Sequence, residues 1–137
     1  MDMHTLLHDH GLRATPQRLA IAEQLLAKAR HVVPQELYDG LKARFPSMSL
    51  NTVYMTLSQF EESGLLQRFY VDGRAVFDSN TVPHDHAFCR SCGALVDLPQ
   101  HDEAAASASV PSGWQVEGYS RIWSGLCPAC HKQNKKN

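Results

Sequence analysis

The sequence predicts an α+β fold in two parts: a helical N-terminal part closed by a β-hairpin, and a small α/β C-terminal part held together through cysteines. Three observations carry that expectation. Apolar residues recur at helical spacing through the first half, an Asp72-Gly73 turn separates two short β-prone runs, and two C-x-x-C pairs bracket much of the second half.

The elements follow in order. Residues 3–10 read as a short helix closed by Gly11. Thr15-Pro16 supplies an N-cap and a proline at the first helical position, after which Leu19, Ala22, Leu25 and Leu26 mark one face. A third helix opens near Pro34 with Leu37, Tyr38, Leu41 and Phe45 on one side, and Pro46 ends it. Ser47 or Ser49 caps a fourth, which carries Leu50, Val53, Tyr54, Leu57 and Phe60 and stops at Gly64. Leu66 to Val71, the turn Asp72-Gly73, and Arg74 to Phe77 make the hairpin. Helices followed by such a hairpin describe a winged helix-turn-helix. A small helical bundle with a stray hairpin is the competing description.

The expected division is a winged-helix domain at 1–78, a hinge at 79–83, and a C-terminal domain at 84–137. Past the hinge lie β-prone segments at 86–89, 94–98 and 114–123. A small helix rich in alanine and serine is expected at roughly 100–109, and the polar tail Lys132 to Asn137 is expected to fray.

With 137 residues, 43% of them hydrophobic, the chain can bury one real core, or two small ones if something staples the smaller. Its formal net charge of −1 counts against a broadly basic nucleic-acid-binding surface, so any DNA face must be a local patch. The N-terminal segment lacks an apolar run with a cleavage site, and no apolar stretch approaches the roughly 18 residues of a membrane span. A cytoplasmic location is the expectation.

Four cysteines without a secretory signal point to reduced thiols and to metal rather than disulfides. Cys89-Arg90-Ser91-Cys92 and Cys127-Pro128-Ala129-Cys130 each present two thiolates on a tight turn, half a tetrahedron apiece. Together Cys89, Cys92, Cys127 and Cys130 make a closed structural Zn²⁺ site. The 34 residues between the pairs exceed a usual ribbon spacing, so the ion would staple a whole small domain. A redox dithiol would want one pair beside a βαβ pattern, and none is present.

A second set contains no thiolate. His84-Asp85-His86 lies just before the first cysteine pair, and on a strand His84 and His86 point to one face. Asp78 ends the hairpin, Asp97 ends the strand after the first cysteine turn, and His31 lies between two N-terminal helices. Alone, each of these is more often a surface group or a cap. Together, imidazole and carboxylate suit Fe²⁺, Mn²⁺ or Zn²⁺ and exclude a soft-metal cage.

With these residues in view, the chain resembles the ferric-uptake-regulator family over nearly its whole length. The resemblance is carried by Gly11 to Arg18 (GLRATPQR), Ser49 to Tyr54 (SLNTVY), Phe60 to Leu65 (FEESGL), His84-Asp85-His86, and both cysteine pairs. Within that family it is most similar to the peroxide-sensing branch. The resemblance implies that His31, Asp78, His84, His86 and Asp97 hold one regulatory Fe²⁺ or Mn²⁺, with Zn²⁺ able to substitute. It also implies a repressor that binds a palindromic double-stranded DNA operator as a homodimer, through a C-terminal dimerisation domain. In that family behaviour, peroxide reacting with bound Fe²⁺ oxidises a ligand histidine and releases the DNA. The signal would be metal or peroxide, with no other small-molecule substrate. A plain iron- or manganese-uptake regulator on the same scaffold is the alternative reading.

Three residue choices depart from the family pattern. Tyr119 stands where many members have a histidine, which argues against a further divalent site there. Met55 replaces a common arginine, and the segment 99–113 is poor in charged ligands.

Physical reasoning points the same way. The five ligands would come from the N-terminal helices, the hinge and the C-terminal domain, so a shared ion would favour one interdomain arrangement. DNA contact would fall to Asn51, Thr52 and Tyr54 in the first turns of the fourth helix, where recognition helices meet base edges. Arg13 and Arg18 flank the second helix start and suit phosphates, while Arg68 and Arg74 lie on the hairpin. Tyr54 also follows Val53 on the apolar stripe, so core packing is its other reading. An enzyme is not expected. A hydrolytic zinc on His84, His86 and an aspartate would need a positioned general base, and no motif supplies one.

Overall fold

The computed structural model describes residues 2–26, 31–82, 84–98, 110–116 and 121–135. The chain divides into two compact units, Met1–Thr81 and Val82–Asn137.

The first unit runs α1 (Met3–Asp9), α2 (Pro16–Leu26), β1 (His31–Val32), α3 (Pro34–Leu41), α4 (Leu50–Glu62), β2 (Gln67–Val71) and β3 (Arg74–Asp78). Short polar caps fix where the helices begin. The Asp2 carboxylate accepts from the Thr5 backbone N–H at 2.7 Å, Thr15 Oγ1 from the Arg18 N–H at 3.2 Å, and Ser49 Oγ from the Thr52 N–H at 3.1 Å. Of the two serines considered for the α4 cap, Ser49 is the one used. Gly64, with φ of 89°, takes the left-handed conformation that ends α4. α3 is shorter than its apolar periodicity predicted. It closes at Leu41, and Phe45 reaches the same side through a turn in which its N–H donates to the Leu41 carbonyl at 3.0 Å.

The hairpin β2–β3 closes on two residues, with Val71 opposite Arg74. Asp72 and Gly73 both have positive φ (52° and 77°), the backbone that a two-residue turn demands. A two-residue strand, β1, adds to the other side of β3, so the sheet order is β1-β3-β2. β1 was not anticipated; it is too short for period-2 alternation to show. Helices packed with this small sheet form the winged-helix unit that the pattern predicted. Its core contains Leu7, Ile21, Leu25, Val32, Leu37, Val53, Leu57, Phe60 and Phe77, each at most 2% exposed. Each such side chain contributes roughly 1.5–3 kcal/mol relative to leaving it in water.

The second unit contains β4 (Asp85–Cys89), β5 (Leu95–Asp97), β6 (Arg121–Gly125) and a terminal helix, α5 (Pro128–Lys135). β4 is central, antiparallel to β5 and parallel to β6. Only the end of the β-prone stretch 114–123 falls in a described strand. The expected helix at 100–109 and Tyr119 lie outside the described residues. Of the tail expected to fray, residues 132–135 instead continue α5, which Pro128 starts, and residues 136 and 137 lie outside the described residues.

Apolar burial differs between the units. Among the described residues of the second, the buried side chains are Cys89, His84, Asp85 and His86, and the apolar cluster belongs wholly to the first. The second unit therefore needs support that apolar burial among its described residues does not supply.

Candidate metal centres and nucleic-acid face

Two turns bring the four cysteines together. The first begins where β4 ends: the Cys89 N–H donates to the Ala94 carbonyl and the Gly93 N–H to the Cys89 carbonyl, both at 2.9 Å. The second lies across the β6–α5 junction, where the His131 N–H donates to the Cys127 carbonyl at 2.8 Å. A bond from the Arg90 N–H to the Gly125 carbonyl, 2.9 Å, ties the two turns side by side. The four sulfur atoms lie within 4.8 Å of one another, and Cys92 Sγ is 3.8 Å from Cys127 Sγ. A tetrahedral ion with Zn–S bonds of ~2.3 Å has S···S edges of ~3.8 Å. The thiols are free rather than disulfide-linked.

Their acidities are pulled apart. Backbone N–H groups of Cys92 and Cys127 aimed at Cys89 lower its thiol to about 6. Ser91 also lowers Cys130 by a hydrogen bond, but the Cys127 thiol, burial, and the Cys89 and Cys92 thiols outweigh it and push Cys130 up to about 11. Four crowded sulfurs cannot all ionise unaided, and a divalent cation removes that conflict. The donor set fits zinc.

A second cluster sits at the other end of β4. His86 lies directly opposite Asp97 in the β4–β5 pair, and His84 is two residues before it on the same side. Asp97 Oδ1 is 3.3 Å from His84 Nε2 and 3.1 Å from His86 Nε2, and the two rings stand 4.4 Å apart. Both histidines are buried. His84 Nδ1 lies 2.6 Å from the Val82 carbonyl, which can only accept, so this nitrogen carries a proton. In the neutral ring Nε2 is then bare, and it faces a carboxylate oxygen. Either an imidazolium proton or a metal cation satisfies that pair, and a carbonyl-oriented imidazole is the usual outer support of a metal ligand. The set fits a borderline or hard divalent ion with nitrogen and oxygen preference.

The other two predicted ligands meet in the first unit. His31 and Asp78 are directly opposite in the β1–β3 pair, and Asp78 is fully buried. One Asp78 oxygen accepts from the Asn80 N–H at 2.9 Å. Both sheets thus present a cross-strand His–Asp pair, His31 with Asp78 and His86 with Asp97. This was not legible beforehand, because the strand that aligns His31 has two residues.

On α4, Asn51 is exposed, Thr52 half-buried, and Tyr54 is 37% exposed. The Tyr54 ring packs edge-on against Phe77 (centroids 5.9 Å) with the Arg68 guanidinium 5.5 Å away. Tyr54 therefore has both a packed edge and an open one. Arg13 is exposed, whereas Arg18 is engaged internally, donating to the Arg13 carbonyl at 3.2 Å and to Gln59 Oε1 at 2.6 Å. Of the two hairpin arginines, Arg74 is exposed. Arg68 is bound to Glu61 at 2.9 Å and to Ser58 Oγ at 2.8 Å, which makes it a strut between β2 and α4.

A winged-helix unit, followed by a unit with a thiol tetrad and a His/Asp cluster, defines a metal-binding member of the helix-turn-helix regulators. The chain belongs to the ferric uptake regulator family, which it matches over residues 9–120. It is 38% identical over 130 residues to the peroxide operon regulator of Bacillus subtilis, covering 93% of this chain and 90% of that one. It is similar to the ferric uptake regulator of Vibrio cholerae, with 30% identity and a TM-score of 0.72, covering 92% of this chain and all of that one. A second solved structure, the ferric uptake regulator of Francisella tularensis with iron, has 25% identity and a TM-score of 0.72, covering 88% and 96%.

Proposed function

We propose that the chain is a cytoplasmic, homodimeric transcriptional repressor that binds a palindromic DNA operator when a divalent metal is bound, and that it senses peroxide. Cys89, Cys92, Cys127 and Cys130 hold structural Zn²⁺. His31, Asp78, His84, His86 and Asp97 hold regulatory Fe²⁺ or Mn²⁺. The observation that carries this is the convergence of two buried imidazoles on one carboxylate, in a set distinct from the thiol tetrad. The similarity to the Bacillus subtilis peroxide operon regulator supports the peroxide reading, and no described helix is long and apolar enough to cross a membrane. In this reading 1–78 binds DNA, 79–83 is the hinge, and 84–137 dimerises and binds metal. Asn51, Thr52 and Tyr54 meet bases and Arg13 meets phosphates, while Arg18, whose guanidinium is held by Gln59 and the Arg13 carbonyl, braces α2 instead.

Bound Fe²⁺ would supply the redox chemistry that splits peroxide, with one oxygen passing to an imidazole carbon and the other leaving as water. The protein's part is to hold its own imidazoles as the nearest oxidisable groups, while the carboxylates balance the ion's charge. Once a ligand histidine is oxidised it binds metal more weakly, and the metal-dependent arrangement is lost.

The test is peptide mass analysis after mild peroxide on Fe²⁺-loaded and Mn²⁺-loaded protein, read beside DNA binding. One added oxygen on His31, His84 or His86 with iron but not manganese, with zinc retained, is the expected result. Unmodified histidines with DNA binding that tracks metal concentration would establish a plain iron or manganese regulator instead. Loss of DNA binding through cysteine oxidation and zinc ejection would overturn the histidine mechanism.

A further inference from the structure

Asp85 stands between the two histidines of the cluster, yet strand alternation sends its side chain to the opposite face of β4. The residue is only 5% exposed. Its carboxylate oxygen Oδ2 lies 3.3 Å from Arg121 Nε and 3.4 Å from Trp123 Nε1, both on the parallel strand β6. The Arg121 guanidinium in turn lies 6.0 Å from the centre of the Trp123 ring, closing a three-membered contact. The register explains it, since Asp85 is aligned with Arg121 and Ala87 with Trp123. The backbone carbonyl of Asp85 also accepts from the Leu98 N–H at 2.9 Å, one residue past Asp97.

Asp85 is thus held by β6 through its side chain and by the end of β5 through its backbone. Those grips fix the rotation of β4 about its own axis, and therefore the direction of His84 and His86 on the other face. They also fix the height of Asp97 beside them. Metal–ligand distances are held within about 0.2 Å, so a small rotation of β4 would misplace both imidazoles together. We propose that Arg121 and Trp123 are positioning residues for the His84/His86/Asp97 cluster, acting through Asp85.

This inference rests on the proposal that the cluster binds a regulatory metal, and the experiment separates the two. Mn²⁺ affinity is measured by competition with a chelating dye on zinc-loaded wild type, His86→Ala, Arg121→Gln, Arg121→Lys and the double variant Asp85→Asn/Arg121→Gln, alongside zinc content and thermal midpoint. Outer supports of metal ligands are worth roughly 10–100-fold in affinity. Arg121→Gln is expected to weaken Mn²⁺ binding by that factor with zinc content unchanged, and Arg121→Lys to recover part of it.

The double variant is decisive. It removes both charges, so it leaves no unpaired buried carboxylate and is expected to restore the thermal midpoint. Mn²⁺ binding stays weak in it if Asp85 positions the histidines, and recovers with the midpoint if the pair merely stabilises the fold. Recovery, or an Arg121→Gln affinity within twofold of wild type, would overturn the inference. If wild type itself binds no Mn²⁺ that His86→Ala removes, the regulatory-site proposal fails instead.

Discussion

Tyr54 shows how much one residue can be asked to do. Its sequence position allowed either base contact or core packing, and it has an edge against Phe77 and Arg68 while more than a third of its surface is open. Periodicity alone could not separate these roles, since the apolar stripe of α4 and its exposed flank meet at this residue. Tyr54→Phe keeps the packed ring and loses the hydroxyl, whereas Tyr54→Ala loses both. Under the proposed function, Tyr54→Ala is expected to weaken specific DNA binding at least tenfold while the dimer, measured by sedimentation, is unchanged. An equal loss of dimer and DNA binding would make it a core residue only. The arginines carry a similar lesson. Sequence position marks Arg18 and Arg68 as candidates for a phosphate-facing patch, but Gln59, Glu61 and Ser58 occupy their guanidinium groups, and no local pattern reveals partners up to 41 positions away.

Elements were legible where local chemistry determines them. Caps at Thr15 and Ser49, the Asp72-Gly73 turn and the 3.6-residue stripes all act within a few positions. β1 and β6 depend on pairing with distant strands, and so their register was not readable. That register is also what sets His31 opposite Asp78 and Asp85 beside Arg121. The cap on α4 offers a clean check of element energetics. Ser49→Ala removes the acceptor for the Thr52 N–H, and it is expected to lower the stability of the first unit by about 1 kcal/mol in urea unfolding. A change below ~0.3 kcal/mol would mean that water serves the Thr52 N–H equally well.

At the scale of the whole molecule, the two units contrast in how they are held. The first has a continuous apolar core. The described part of the second buries a thiol, two imidazoles and a carboxylate. C-x-x-C spacing announced the thiol tetrad plainly, because the chemistry of a zinc knuckle is local within each pair. Cys89→Ser or Cys127→Ser is therefore expected to abolish zinc binding, measured by elemental analysis, and to give aggregated or monomeric protein. A stable dimer without zinc would show that the second unit folds unaided.

The central claim is that a divalent ion at the His/Asp site governs DNA binding. Its most direct test is fluorescence anisotropy on a duplex selected from a random pool with Mn²⁺ present, using zinc-loaded wild type and His86→Ala. Added Mn²⁺ is predicted to tighten wild-type binding at least tenfold, and to leave His86→Ala weak while its zinc content stays intact. Equal affinity of wild type with and without Mn²⁺, or a full Mn²⁺ response in His86→Ala, would contradict it.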